Sequence, residues 1–454
     1  MKLRWQRLLV PERLCVPQSA SAHRDELAPD IYESGRSQFQ KDYDRIVFSP
    51  AFRRLARKTQ VHPLSSNDHV HTRLIHSLEV ASVGRSLGVQ AGAHLCAHDV
   101  LPKPLTPEDV GVIVQSACLA HDIGNPPFGH TGEDAVRDWF CDPNHWHYLD
   151  PLPELAQVAD FQNFEGNAQG FRLVARLEKH LDAGGLRLTL PTLGAMLKYP
   201  WLSCERGGRA KFGCFYSERQ LLDTVADRLG LLPIPNAGYQ RHPLVYLVEA
   251  ADDICYRILD LEDAVELNIL PYTRYANMVA PLVGRERLNE AAYARSVKDR
   301  LALLRGPLFE RLVEHGATLF AEQLETLTLD SDHPGLLSIS TESDVAEFMS
   351  AAKVVAETEI FKNRPKTEIE VGVYATMGGL LSVFMSAAYA WHAQDGNGVG
   401  RRVLCINDLL GSQAFTPSDD LYASYLKVMD FLSGMTDFHA SRLAQRLSGM
   451  LSLR

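Results

Sequence analysis

The chain has 454 residues, 46% apolar and 22% charged, a balance that excludes a disordered or fibrous protein and leaves room for a large buried core. Its formal charge of −10 excludes a generally basic nucleic-acid surface, so an anionic ligand needs a local cationic pocket. Eight cysteines (Cys15, Cys96, Cys118, Cys141, Cys204, Cys214, Cys255 and Cys405) show no C-x-x-C spacing and read as reduced thiols of a cytoplasmic protein, not a disulfide framework.

Met1 to Trp5 leads into charged, proline-bearing sequence, so no signal peptide is expected. Residues 1–35 are expected to form an irregular arm, and helical patterns dominate from Arg36 onward. His76, Val80, Val83 and Leu87 share one helical face. Thr106-Pro107-Glu108-Asp109 starts a helix, with Thr as N-cap and Pro at the first position, and Val110, Val114, Ala117 and His121 continue its inward stripe.

The helix must stop near His121-Asp122, because Gly124, Pro126 and Pro127 follow. Unpaired carbonyls at a helix C-terminus favour a cation, which suits an imidazole and a carboxylate projecting there. Strand signals are few, as in Leu186 to Leu190, and the pairs Gly184-Gly185 and Gly207-Gly208 and the stretch Gly396 to Gly400 read as loops. Leu247, Ala251, Ile254, Ile258 and Leu261 form a core stripe; Asp252, Tyr256 and Asp260 stack on an adjacent face as one pocket wall, with Asp253 pointing elsewhere. Gly378 to Trp391 is apolar but shorter than the roughly 20 residues of a bilayer span and reads as a buried helix, so no membrane partner is expected. The class is all-α.

Two imidazoles and two carboxylates, from His76, His121, Asp122 and Asp252, make a nitrogen/oxygen site for a divalent ion such as Mg, Mn, Fe, Co or Ni. A single histidine on a helix face is ordinarily a hydrogen-bonded core residue; the combination argues for a metal, because burying His and Asp together without a partner is costly. Such an ion acidifies bound water and polarises a phosphoryl oxygen.

Three phrases, Arg73 to Val80, His121 to Glu133 (HDIGNPPFGHTGE) and Glu249 to Tyr256 (EAADDICY), resemble the deoxyguanosinetriphosphate triphosphohydrolase family of HD-domain phosphohydrolases. Further matches are Phe39 to Val61, Phe164 to Gly170, Leu197 to Pro200, Lys211-Phe212-Gly213 with Ser217-Glu218, and Ser433 to Asp437. The resemblance covers residues 36–275 well and the remainder thinly; a boundary around Leu270 to Pro281 is expected to separate this HD-type helical core at 36–275 from a C-terminal helical lobe at 276–454, and a homo-oligomer is expected. The resemblance further implies a divalent metal and conversion of a dNTP to deoxynucleoside and tripolyphosphate. It makes His130 the catalytic histidine, oriented by Glu133, and leaves open whether that ring acts as acid, base or nucleophile. Arg73, Asn167, Lys198, Tyr199 and Lys211 are implied on the phosphates, and Gln60, Tyr256 and Asp260 on the deoxyribose. Two departures stand out: Asn125 occupies a position where another branch has histidine, and Glu368 to Thr376 matches only loosely, with Ala375 in place of a basic residue.

Two other readings compete. One is an HD phosphohydrolase of another specificity, such as a nucleotidase, a cyclic-nucleotide phosphodiesterase or a hydrolase of guanosine polyphosphates. The other is a non-catalytic nucleotide sensor or single-stranded nucleic-acid binder, with Arg53-Arg54 and Arg57-Lys58 as its basic cluster and a nucleotide effector as partner.

Overall fold

The computed structural model describes residues 2–14, 32–33, 35–60, 72–178, 185–329, 333–360, 364–394, 396 and 398–450. Twenty α-helices run through these residues, and the fold is all-α. The first half contains α1 (Lys2–Leu8), α2 (Gln38–Val47), α3 (Pro50–Arg54), α4 (Arg73–Ala97), α5 (Pro107–Ala120), α6 (Gly129–Cys141), α7 (Trp146–Leu149), α8 (Leu155–Gln162), α9 (Gly166–Arg172), α10 (Leu190–Met196) and α11 (Arg219–Leu229). The second half contains α12 (Val245–Glu266), α13 (Tyr272–Ala292), α14 (Val297–Glu322), α15 (Leu324–Leu329), α16 (Ser343–Val355), α17 (Arg364–Ala393), α18 (Arg401–Leu410), α19 (Leu421–Ser433) and α20 (Asp437–Leu447). A hairpin of two-residue strands at Tyr32–Glu33 and Arg36–Ser37 is the only sheet among the described residues.

The pair α4 and α5 positions the site, and its sequence explains why. Thr72 and Thr106 cap the two helices, the latter in a reciprocal capping box with Asp109. Glycines then let the backbones approach: a Cβ on Gly88 would lie 2.8 Å from the Gly111 Cα, and one on Gly92 would lie 2.7 Å from the Pro107 Cα. Gly84 meets Cys118 on the same seam, so the two helices run antiparallel and the His76 end of α4 lies beside the His121 end of α5. α12 packs across both.

Two hydrophobic cores result. One runs from Trp5 through α4, α5 and α12 to Ile360; the other gathers α6, α8 and the α17 to α20 helices. A buried ion cluster stitches α9 to the second core, Arg172 lying 2.6 Å from Glu218 and 2.8 Å from Asp430.

Several sequence expectations change. Residues 2–8 are helical rather than irregular, with Trp5 and Leu8 fully buried, and the His242 ring donates to the Leu8 carbonyl at 2.9 Å. Residues 15–31, and with them Cys15, lie outside the described residues, as do Gly184 and Asn397. The strand expected at Leu186 to Leu190 is a single bridge between Thr189 and Arg13, because α10 begins at Leu190. The apolar stretch from Gly378 extends into the longer α17, whose Thr367–Ala393 segment is long and apolar enough to cross a membrane by length and composition. Its inner face, including Met377, Leu381, Phe384 and Met385, is buried in the second core. The seven cysteines among the described residues are free.

Candidate active site

His76 sits in the first turn of α4, His121 directly follows α5, and Asp252 lies in the second turn of α12. One donor atom from each lies within 4.8 Å of the others. His76 Nε2 is 3.0 Å and His121 Nε2 3.8 Å from Asp252 Oδ1. A carbonyl oxygen only accepts, so the 2.6 Å contact of His121 Nδ1 with the Cys118 carbonyl places a proton on Nδ1 and turns Nε2 toward Asp252 as the ring atom that could hold a cation. That donor set fits a divalent cation.

Electrostatics agrees. Burial opposes the Asp252 charge, but His121, His76 and Lys198 hold its pKa well below the usual carboxylate range. Burial also opposes the His76 charge, and the Asp252 bond together with the charges of Asp252, Asp122 and Asp260 outweighs it, so that imidazole is more basic than usual. Asp122, expected as a fourth ligand, stands beside the trio: Oδ1 is 3.6 Å from His121 Nε2 and accepts from the Asn125 amide, while Oδ2 accepts from Arg73 Nη1 at 2.9 Å. Burial notwithstanding, Arg73 and the two imidazoles pull its pKa to about 2. Asn125, where the other branch has histidine, therefore orients Asp122.

Beyond the Pro126-Pro127 turn, His130 opens α6. Its side chain is 71% exposed, whereas Glu133, one turn on, is 2% exposed and reaches His130 Nδ1 at 2.9 Å. The other Glu133 oxygen accepts from the Gly166 amide at 2.7 Å. Burial would raise the Glu133 pKa, but His130 and, more weakly, Lys211 and Gly166 hold it below the ordinary value.

All these elements open onto one cavity of about 550 Å³. Gln60, Arg73, Asn167, Lys198, Tyr199, Lys211 and Tyr256 line it, together with His76, His121, Asp122, Asp252 and His130. Lys198 and Lys211 come from neighbouring loops locked by two bonds, from the Trp201 indole to the Lys211 carbonyl at 2.8 Å and from the Gly213 amide to the Trp201 carbonyl. Lys198 lies 3.6 Å from Glu249, which is itself paired with Arg241. The Asn167 amide donates to Glu165 at 2.7 Å. Gln60 Oε1 is buried and has no hydrogen-bond partner among the described residues.

Two placements correct the sequence reading. Asp260 is buried and does not line the cavity, because eight helical residues carry it about 12 Å along the axis from Asp252, past the cavity end. Asp253, expected to point away, does line it, as does Arg257: the cavity is wide enough to take two adjacent stripes of α12. Burial, reinforced by Asp252, raises the Asp253 pKa to about 6. The basic run Arg53-Arg54 and Arg57-Lys58, read in the first place as a helix face packed against acidic neighbours, is partly so: Lys58 is 2% exposed and Arg54 pairs with Glu178. Sequence reasoning also missed Glu370 of α17, which lines the cavity and accepts from the Thr131 hydroxyl at 3.3 Å; no local pattern marks a residue arriving from so far along the chain.

An HD-domain family model matches residues 73–158, a window holding Arg73, both imidazoles of the trio, Asp122, His130 and Glu133. Over its whole length the chain is similar to a deoxyguanosinetriphosphate triphosphohydrolase-like protein of Pseudomonas aeruginosa, at 46% identity over 99% of both chains. A protein of the same description from Synechocystis is 37% identical over 99% of this chain and 100% of its own. The deoxyguanosinetriphosphate triphosphohydrolase of Klebsiella pneumoniae is 32% identical over 84% of this chain and 81% of its own. The chain belongs to the deoxyguanosinetriphosphate triphosphohydrolase family.

As a hydrolase of this HD-containing family, it completes the trio with a residue from outside the HD window, since Asp252 lies on α12. The cavity is not the simple cationic trough the sequence suggested. Arg73, Lys198, Lys211 and Arg257 face Asp122, Asp134, Glu249, Asp252, Asp253 and Glu370, so acids outnumber bases in its lining. A divalent cation at the trio offsets that excess, which is a second physical reason why the residues suit one.

Proposed function

We propose that this chain is a metal-dependent dNTP triphosphohydrolase, cleaving a deoxynucleoside triphosphate to deoxynucleoside and inorganic tripolyphosphate. One observation carries the reading: the His76/His121/Asp252 trio, His130 and the two lysines, drawn from segments far apart in sequence, share one cavity, with Glu133 holding His130 from behind its wall. A divalent cation held by the trio supplies Lewis-acid polarisation of a phosphoryl oxygen and an acidified water.

The chain's own groups do the rest. Lys198, Lys211 and Arg73, with Tyr199 and Asn167, bind the polyphosphate, whose charge of about −4 needs focused cations in an acidic protein. Glu133 holds His130 Nδ1 at 2.9 Å, which leaves Nε2 of the exposed ring as the atom for proton transfer to the departing 5′ oxygen. Tyr256 packs against the sugar face and disfavours a 2′-hydroxyl, and the unpartnered Gln60 Oε1 accepts from a sugar hydroxyl.

Chromatography of products from the four dNTPs, each with Mg, Mn, Fe, Co or Ni, tests the proposal. Deoxynucleoside and tripolyphosphate in equal amounts are expected; stepwise release of orthophosphate or pyrophosphate refutes it.

A further inference from the structure

The buried Asp437 carboxylate, in the first turn of α20, belongs to neither the cavity lining nor the metal trio. Its Oδ1 accepts the Phe128 amide and its Oδ2 the Thr59 amide, each at 2.9 Å, across more than 300 residues of sequence. Those two amides belong to separate chain segments that both line the cavity. Thr59 precedes Gln60, and Phe128 stands two residues before His130.

Phe128 is also strained. Its φ of 65° places a bulky non-glycine residue in the left-handed region, a conformation that persists only where the surroundings impose it. Gly129 follows at φ 58°, and a Cβ there would lie 2.3 Å from Arg73 Nη2, so the turn has no room to slide along Arg73. A second tie runs parallel: the buried Lys58 Nζ donates to the Asn125 and Ser433 carbonyls, each at 2.6 Å, and Asn125 in turn orients Asp122. The α19–α20 corner, residues 433–437, is thus fastened to the turn carrying His130 and to the segment carrying Gln60.

We propose that Asp437 is a positioning residue for the chemical step: by holding the Phe128 and Thr59 amides, with Lys58 as the parallel tie, it sets the pose of His130 from outside the cavity. This rests on the reading of His130 as the proton-transfer group. The C-terminal helices thereby govern catalysis without touching substrate. Neutralising the carboxylate leaves one of the two amides facing an amide NH₂, so the strained turn relaxes while the trio and the lysines stay in place.

Asp437→Asn and Lys58→Met test it in the full-length, metal-loaded protein. Expected are a roughly 10–100-fold lower kcat for Asp437→Asn, KM within about twofold, unchanged metal stoichiometry, and faster hydrogen exchange confined to peptides covering 55–60 and 125–135. Combining it with Lys58→Met should lower kcat by less than the product of the single effects, because both hold one turn. Unchanged kcat in Asp437→Asn overturns the proposal, and so does a loss of kcat accompanied by metal loss or by exchange rising throughout the fold. A wild-type protein that hydrolyses no dNTP with any of the metals overturns the functional reading instead, and the exchange pattern still decides whether Asp437 holds the turn.

Discussion

Replacing Glu133 by glutamine changes one charge without changing shape, and the geometry dictates the consequence. The buried carboxylate makes two bonds, to His130 Nδ1 at 2.9 Å and to the Gly166 amide at 2.7 Å. A glutamine has one carbonyl oxygen; whichever donor keeps it, the other faces an NH₂ group. With the Gly166 bond kept, His130 Nδ1 faces that NH₂ group and loses the carboxylate that holds the ring. A charge-assisted bond contributes about 1.5–3 kcal/mol, and solvent screening of the 71% exposed His130 side chain reduces this to about 1–2 kcal/mol, or roughly 5–30-fold in kcat. KM and metal content should not move, since Glu133 does not line the cavity. Thermal stability should hold as well: the Glu133 charge raises the pKa of the buried Glu165, after burial the largest cause, and neutralising it relieves that repulsion. Steady-state kinetics under saturating dNTP, with metal analysis and a thermal melt on the same preparation, decides the matter. A kcat within about threefold of wild type in a folded, metal-loaded variant refutes the assignment of Glu133 as the group that sets the His130 proton.

Three further outcomes are expected. Asp252→Asn should lose stoichiometric divalent metal, whereas Asp122→Asn should retain more of it, because Asp122 is already engaged by Arg73 and Asn125; equal retention measured by plasma mass spectrometry would refute that ranking. Gly88→Ala places a methyl 2.8 Å from the Gly111 backbone, which cannot yield as a side chain can, so the α4–α5 seam should open at a cost of about 1–3 kcal/mol, with a lower melting temperature and weaker metal binding. Asp160 is buried beneath Ser203, Tyr422 and the Tyr216 amide, and burial raises its pKa to about 7 against an unfolded value of 3.8. The folded state thus holds this proton more tightly. Its stabilisation is full below pH ~4 and is lost as pH rises through ~7, on the order of 2–4 kcal/mol. Melts of wild type and Asp160→Asn should therefore diverge between pH 5 and 8, with the wild type losing ground; parallel curves would refute it.

What the sequence made legible was local. The caps of α4 and α5 and the stripes through His76, His121 and Leu247 to Leu261 follow from 3.6-residue periodicity and N-cap chemistry, both properties of a single helix. Periodicity gives the face of a residue but not its depth, which is why Asp260 passed for a wall residue and Asp253 for an outsider. The seam itself was written in Gly84, Gly88, Gly92 and Gly111, yet a glycine in a helix signals only weak propensity until a second backbone is laid against it. α1 is seven residues long, too short to display a repeat, and Glu370 and Asp437 act only through contacts that exist after folding.

The acid-rich lining joins these strands of argument. On the proposed function, polyphosphate entering a cavity where Asp122, Asp134, Glu249, Asp252, Asp253 and Glu370 face four bases meets net repulsion, and the cation that would relieve it falls to Asp252, whose pKa lies well below the usual carboxylate range. Glu249 takes part from the other side. It pairs with Lys198 and with Arg241, so Lys198 is stored as an ion pair rather than as a free charge, and a phosphate oxygen must compete with a carboxylate for it. Polyphosphate therefore gains most where a divalent ion and a displaced Glu249 act together, and a ligand too short to reach both the trio and Lys198 gains from only one. On the proposed function, discrimination for a long phosphate chain would follow from the opposition of charges inside the cavity, more than from the number of lysines it holds.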